Sequence, residues 1–91
     1  MLESEIENYV VNYARRRGVL SAKLNLQGRR GWPDRILLFP GGRTVFIEFK
    51  RPGGQVSKLQ AYVHAQLGRL GFAVYVVKTK EQGRRIVDEC L

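Results

Sequence analysis

The sequence predicts an α/β fold, a mixed four-stranded sheet flanked by helices in the order αβββαβα, and three observations carry that expectation. Two apolar runs, Arg35 to Phe39 and Thr44 to Lys50, are separated by Pro40-Gly41-Gly42-Arg43, which has the composition of a hairpin turn. Helical spacing then appears from Val56 to Leu70, and a nearly continuous apolar run from Phe72 to Lys78 reads as a further strand. The turn makes its two strands antiparallel neighbours, whereas a helix between strands is the crossover that parallel neighbours require, so the sheet is mixed.

The remaining elements follow in chain order. Residues 4–17 carry Ile6, Tyr9, Val10 and Tyr13 at helical spacing, with Ser4 and Glu7 placed as a capping box and Gly18 as the stop. Val19 to Leu26 alternates, with Leu20, Ala22, Leu24 and Leu26 on the inner side, which suits a half-buried first strand. Gln27 to Pro33 is a polar, glycine-rich loop. In the hairpin, Phe39 is expected opposite Thr44. Arg51-Pro52-Gly53-Gly54 breaks the strand, and the second helix presents Leu59, Val63, Leu67 and Leu70 as its core stripe before Gly71 ends it. Thr79 with Gln82 opens a last helix carrying Ile86, Val87 and Cys90. With no linker or repeat in 91 residues, a single domain over 1–91 is expected.

Composition narrows the partners. Lysine and arginine number 16 against 8 acids, and a formal charge of +8 on so small a chain draws polyanions, with nucleic acid first among them. A basic surface kept for solubility is the competing reading. No apolar stretch approaches the ~20 residues that span a bilayer, and the N-terminus is acidic where a signal peptide is basic, so a cytoplasmic protein with no membrane partner is expected. Cys90 is the only cysteine, which excludes an intrachain disulfide and a thiolate zinc cluster. His64 is the only histidine, which argues against a histidine metal site or a Ser/His/Asp triad. Its place beside the core stripe suggests a surface or interface side chain.

Chemistry concentrates in the hairpin. Alternation puts Thr44, Phe46, Glu48 and Lys50 on one face, and counting back through the turn sets Asp34 beside Glu48 or Phe49. Two carboxylates and an ammonium in one place suit Mg²⁺ or Mn²⁺, which take carboxylate, water and phosphate oxygens. A lysine there can orient a nucleophile or stabilise an anionic transition state. The competing reading is a solvated Glu48–Lys50 pair on an edge strand, stabilising little. An aspartate after Trp32-Pro33 at the mouth of the hairpin, with apolar flanks on both strands, argues against it.

Among other features, Arg29 and Arg30 are expected to touch phosphates. Gly28-Arg29-Arg30-Gly31 imitates the KH-domain loop, but here it joins strands, not helices. Arg15-Arg16-Arg17 serves equally as a phosphate contact or as a partner to the helix dipole. Trp32 reads either as a base-stacking wedge or as a lid over the core.

Pro33-Asp34 followed by Glu48-Phe49-Lys50 resembles the PD-(D/E)XK nuclease signature, and the element order resembles that superfamily's restriction-endonuclease-like core. Gly31-Trp32-Pro33-Asp34, Phe46 to Gly54, and Ser57 to Gln60 extend the resemblance to the virus-type replication-repair nuclease (VRR-NUC) domain over almost the whole chain, in a stand-alone minimal form. That resemblance implies a Mg²⁺- or Mn²⁺-dependent endonuclease of phage or bacterial origin, similar to Holliday-junction resolvases that act on branched DNA as homodimers. It implies Asp34 and Glu48 as metal-binding acids, the Phe49 carbonyl as a further ligand, Lys50 as the catalytic lysine and Gln60 as a site glutamine. It also implies a glutamate early in the first helix. Glu3, Glu5 and Glu7 compete, and Glu3 is favoured because it shares the stripe of Ile6 and Val10. Arg15, Arg16, Arg29, Arg30 and Arg51 are the candidate DNA contacts. The second helix and fourth strand, with Tyr62, His64 and Tyr75, are the expected dimer interface. The alternative is a non-catalytic basic nucleic-acid-binding module of the same fold, which would be expected to have lost Asp34, Glu48 or Lys50.

Overall fold

A computed structural model describes residues 1–91. Its elements are α1 (Glu3–Arg16), β1 (Leu20–Lys23), β2 (Arg35–Leu38), a 3-10 turn (Pro40–Gly42), β3 (Thr44–Phe49), α2 (Lys58–Arg69), β4 (Ala73–Val77) and α3 (Lys80–Cys90). The order is the expected αβββαβα. The sheet runs β1-β2-β3-β4, with the first two pairings antiparallel and β3–β4 parallel, so the crossover helix α2 does what its position in the sequence requires.

Both faces of the sheet are covered, and β3 is central. On one face Leu37, Val45, Ile47, Phe49 and Val77 pack against Ile6, Val10, Tyr13 and Ala14 of α1 and Val87 of α3. On the other, Phe46 packs under Val63 and Leu67 of α2, with Leu24, Trp32, Ile36 and Val74 around them. Trp32 is therefore a lid, edge-on to Phe46 with ring centroids 6.3 Å apart.

Several expected details shift. α1 begins one residue earlier than read: Leu2 is the N-cap, and its backbone N–H donates to Glu5 Oε1 at 3.0 Å, so Ser4 and Glu7 do not form the cap. The hairpin register is Leu38 opposite Thr44, one step from Phe39, because Phe39 N–H instead closes onto the Arg43 carbonyl. β1 is half the expected length, and only part of its supposed inner row is covered: Leu24, just past the strand, packs against the Phe46 cluster, whereas Leu20 is 64% exposed. At the far end of an edge strand that α2 does not reach, Leu20 and Ala22 have nothing to be buried against. In α2, Val63 and Leu67 are buried while Leu59 and Leu70 are not. Leu59 turns instead to the loop, where a Cβ on Gly31 would sit 2.8 Å from its Cγ, so that the loop approaches the helix only with glycine there.

α3 lies along α1. Thr79 Oγ1 accepts from Gln82 N–H to cap it, Arg17 pairs with Asp88, and the Arg84 guanidinium lies 4.9 Å from the Tyr13 ring centroid. At the crossing, a Cβ on Gly83 would approach Val10 Cγ2 to 2.2 Å. Gly83→Ala gains up to ~1 kcal/mol of helix propensity but forces two buried helices apart, for which overpacking costs run about 1–3 kcal/mol. Urea denaturation is expected to show a net loss of about 1 kcal/mol or more; an unchanged or raised midpoint would contradict this packing.

Candidate active site

β2 leaves the sheet at Asp34 just where β3 reaches Glu48 and Phe49. Asp34 Oδ2 accepts the Phe49 backbone N–H at 2.8 Å, which carries the strand pairing one step further through a side chain. Glu48 projects from β3 on the face that α2 covers, in the central strand, and is 3% exposed. This disposes of a solvated pair on an edge strand. Its Oε2 accepts from Gln60 Nε2 at 3.1 Å and lies 3.6 Å from Lys50 Nζ, while Oε1 is buried with no partner.

Gln60 is fixed from two directions. Ser57 caps α2, its Oγ accepting from Gln60 N–H at 3.1 Å, and Gln60 Oε1 accepts from Ser57 N–H at 2.9 Å in return. The amide orientation that completes the capping box leaves Nε2 to donate to Glu48. One glutamine thus ties the start of a helix to the acid on the central strand.

Burial raises both carboxyls. Glu48 moves from 4.5 to about 7, first by burial and then by the Asp34 charge, with Lys50 opposing. Asp34 is raised by burial, opposed by the Phe49 N–H, with Glu7 and Glu3 adding repulsion. Glu3 is exposed at the start of α1 and its charge acts on both acids. Glu7, read as the capping-box residue and one of three competing glutamates, accepts from Arg35 Nε at 2.7 Å. No three His, Cys, Asp or Glu side chains converge to hold a cation unaided. A divalent ion would complete its shell from the Asp34–Glu48 pair, backbone, water and substrate oxygens. The unpartnered Oε1 of Glu48, beside a second carboxylate, fits that role.

The basic candidates divide. Arg29, Arg30 and Arg51 are exposed in the segments flanking Asp34 and Lys50. Arg15 and Arg16 lie at the far end of α1, roughly 20 Å along the helix from Glu3, with Arg16 over the Tyr13 ring. His64, expected at the surface or an interface, is half-buried with its Nε2 unpartnered; burial lowers its pKa, with the charges of Asp34 and Lys50 acting in opposite directions. Tyr75 does not share a face with Tyr62 and His64 of α2, since it pairs with Ile47 on the opposite face of the sheet. The expected interface is therefore not one continuous patch. The main cavity, of about 370 Å³, is lined by Thr44, Tyr75 and Cys90 at the other end of β3 and takes no part in this cluster.

This fold, with an acid pair and a lysine at the open end of a hairpin, defines a nuclease of the restriction-endonuclease-like class. The VRR-NUC domain model matches residues 4–81, and the chain belongs to that family. A protein named "Putative nuclease p44" from Acyrthosiphon pisum secondary endosymbiont phage 1 is 37% identical over 79 residues, covering 87% of this chain and 85% of its own. A solved VRR_NUC domain structure superposes with a TM-score of 0.89 at 26% identity, covering 98% of this chain and 97% of that one. No helix is long and apolar enough to cross a membrane.

The raised Glu48 carboxyl sets a pH dependence. Between about pH 4.5 and 7 the folded chain keeps a proton that the unfolded chain has lost, so this group makes stability fall as pH rises through that window. Glu48→Gln removes the effect. In EDTA at pH 8 the variant is expected to be more stable than the wild type, on the order of 1–3 kcal/mol, with the gap closing towards pH 4.5. Urea midpoints at the two pH values measure it, and a pH-independent gap would show that burial of the charge is not its origin.

Proposed function

We propose that this chain is a Mg²⁺- or Mn²⁺-dependent DNA endonuclease that acts on branched DNA as a homodimer. The observation that carries the reading is the buried Glu48 carboxylate, one oxygen unpartnered, facing Asp34 with Lys50 3.6 Å away. Such a charge is retained at a cost to stability unless something else uses it.

Asp34 and Glu48, with the Phe49 carbonyl, would hold the cation. When bound, it would supply Lewis-acid stabilisation of the scissile phosphate and lower the pKa of the attacking water. Gln60 keeps the Glu48 carboxylate oriented. Lys50 shifts its ammonium from Glu48 towards the phosphate and offsets charge building there. Glu3 adds a carboxylate at the rim. Arg29, Arg30 and Arg51 grip phosphates beside the site, while Arg15 and Arg16 could reach only a more distant stretch of backbone. The net charge of +8 supports a polyanionic substrate, and one acid pair per chain supports a two-fold dimer for paired cuts on a four-way junction.

Nicking of linear, flap and four-way DNA in Mn²⁺ and in EDTA tests the activity and its structure preference. Glu48→Gln is expected to drop cleavage below about 10% of wild type while DNA binding persists; retained metal-dependent turnover would remove Glu48 from the site. Lys50→Ala is expected to lose most activity with Mn²⁺ still bound. Activity restored by saturating Mn²⁺ would instead make Lys50 a structural residue. DNA binding with no cleavage under any metal would leave a non-catalytic binding module.

The assembly has its own test. Light scattering at micromolar concentration is expected to give twice the mass of 10.4 kDa, and wild type mixed with Glu48→Gln is expected to convert paired incisions into single nicks. A monomer that still makes paired symmetric cuts would end the case for a dimer.

A further inference from the structure

His64 stands one helical turn beyond Gln60 on α2, so the two side chains share a face of the helix. Gln60 is bonded to Glu48, which means that this face looks onto the central acid, with Asp34 on the neighbouring strand end. His64 Nε2 is buried and has no hydrogen-bond partner, a condition it shares with one other side-chain atom, Glu48 Oε1. Buried polar atoms are almost always paired, so each exception calls for a partner that arrives later or for a function. For Glu48 Oε1 that partner is the cation.

The position of His64 limits what it can do. Nε2 is shut off from solvent, so it is not placed to grip a phosphate directly. It does not converge with Asp34 and Glu48 into a three-ligand set, so it is not placed to ligate a metal. The charges that act on the ring are Asp34 first and Lys50 second, and burial favours the neutral form, in which one ring nitrogen carries hydrogen. Asp34 has one oxygen taken by the Phe49 N–H, and no protein donor bonds the other. An unpartnered ring nitrogen on the helix face that holds Glu48, and an Asp34 oxygen that no protein donor bonds, are the two halves of the pairing that ligating carboxylates commonly receive from the residues behind them.

We propose that His64 is a positioning residue for the acid pair, its Nε2–H turning onto the second oxygen of Asp34 when that carboxylate is ionised to hold the cation. The assignment rests on the nuclease reading above. With Phe49 N–H on one oxygen and His64 on the other, Asp34 is held in one rotamer, as Gln60 holds Glu48. Two residues four apart on α2 then fix the two acids on two different strands. The direction of effect follows: without His64, Asp34 keeps its charge but loses its fixed aim, and cation affinity falls before DNA affinity does.

As the chain's one histidine, His64 gives a single imidazole signal set in a histidine-labelled ¹⁵N spectrum. In the wild-type protein Nε2 is expected to carry the proton, and its resonance is expected to move as Mg²⁺ is added. In parallel, Mn²⁺ affinity is measured by calorimetry, together with kcat and KM on cleaved DNA, for His64→Leu and His64→Gln. The leucine variant should keep its Tm and KM but lose about 10–100-fold in Mn²⁺ affinity or kcat, and glutamine, whose amide can donate from nearly the same place, should recover most of it. Leucine behaving as wild type, glutamine failing as badly as leucine, or an unprotonated Nε2 that ignores Mg²⁺ would each overturn the proposal. Should the leucine variant not fold, the wild-type spectrum still decides. A wild type that neither binds Mn²⁺ nor cuts DNA removes the nuclease reading and this assignment together, whereas wild-type binding with an indifferent His64 removes only the assignment.

Discussion

Glu48 carries its carboxylate in the middle strand of a sheet covered on both faces, and the protein must compensate a charge taken out of water. The effective cost of such a transfer is several kcal/mol, and two contacts offset part of it: the Gln60 amide at 3.1 Å and the Lys50 ammonium at 3.6 Å. Each fixes something larger. Through Gln60 the carboxylate sets where α2 begins, because the same side chain closes the Ser57 cap. Through Lys50 it holds a flexible side chain against the end of β3. The remaining oxygen is left without compensation, and the neighbouring Asp34 makes that worse. A site in this state carries a buried charge that the protein compensates only in part.

The rest of the fold follows from how unequally the two faces are covered. Two helices meet over one face and bury a continuous apolar core, whereas α2 alone roofs the other, lying over β3 and β4 and leaving most of β1 uncovered. The acids lie at the edge of the thinner roof, where Trp32 and the loop at Gly31 close against α2. Loop arginines flank that opening. The long-range field of the chain is positive, yet its most buried charge is negative, so the surface attracts a polyanion that the centre by itself repels.

The hairpin was legible because its signals are local. Strand alternation and a short turn bring Asp34 to Glu48 even with the register misread by one step, since residues on either side of the pairing are still within reach. The family resemblance supplied Gln60, whose double role the sequence alone did not reveal. Other features failed where a local pattern had two meanings. Glu7 stood at capping-box spacing from Ser4, but its partner, Arg35, is 28 residues away and only the fold brings it near. Leu20 and Ala22 alternate like a buried strand, but an edge position beyond the reach of α2 leaves them exposed. His64 is a lone polar residue beside an apolar stripe, and nothing local reveals that its Nε2 is buried without a partner.

The contact between α1 and α3 has a consequence for how the chain comes into being. Tyr13 donates to Asp88 across 75 residues, and the pocket of Val10 is filled only by Gly83. The hairpin and the α2 crossover can form from neighbouring segments as they emerge from the ribosome, and the sheet then covers much of the apolar stripe of α1, but the side of α1 at Val10 and Tyr13 that packs on α3 waits for a later segment. During that interval this part of its cover is missing. Topologies dominated by such distant pairings fold more slowly and leave sticky surface open for longer. Arg15, Arg16 and Arg17 at the end of α1, two of them over the Tyr13 ring, give nascent copies a shared positive charge at that seam, which disfavours their sticking to one another before each has closed on itself.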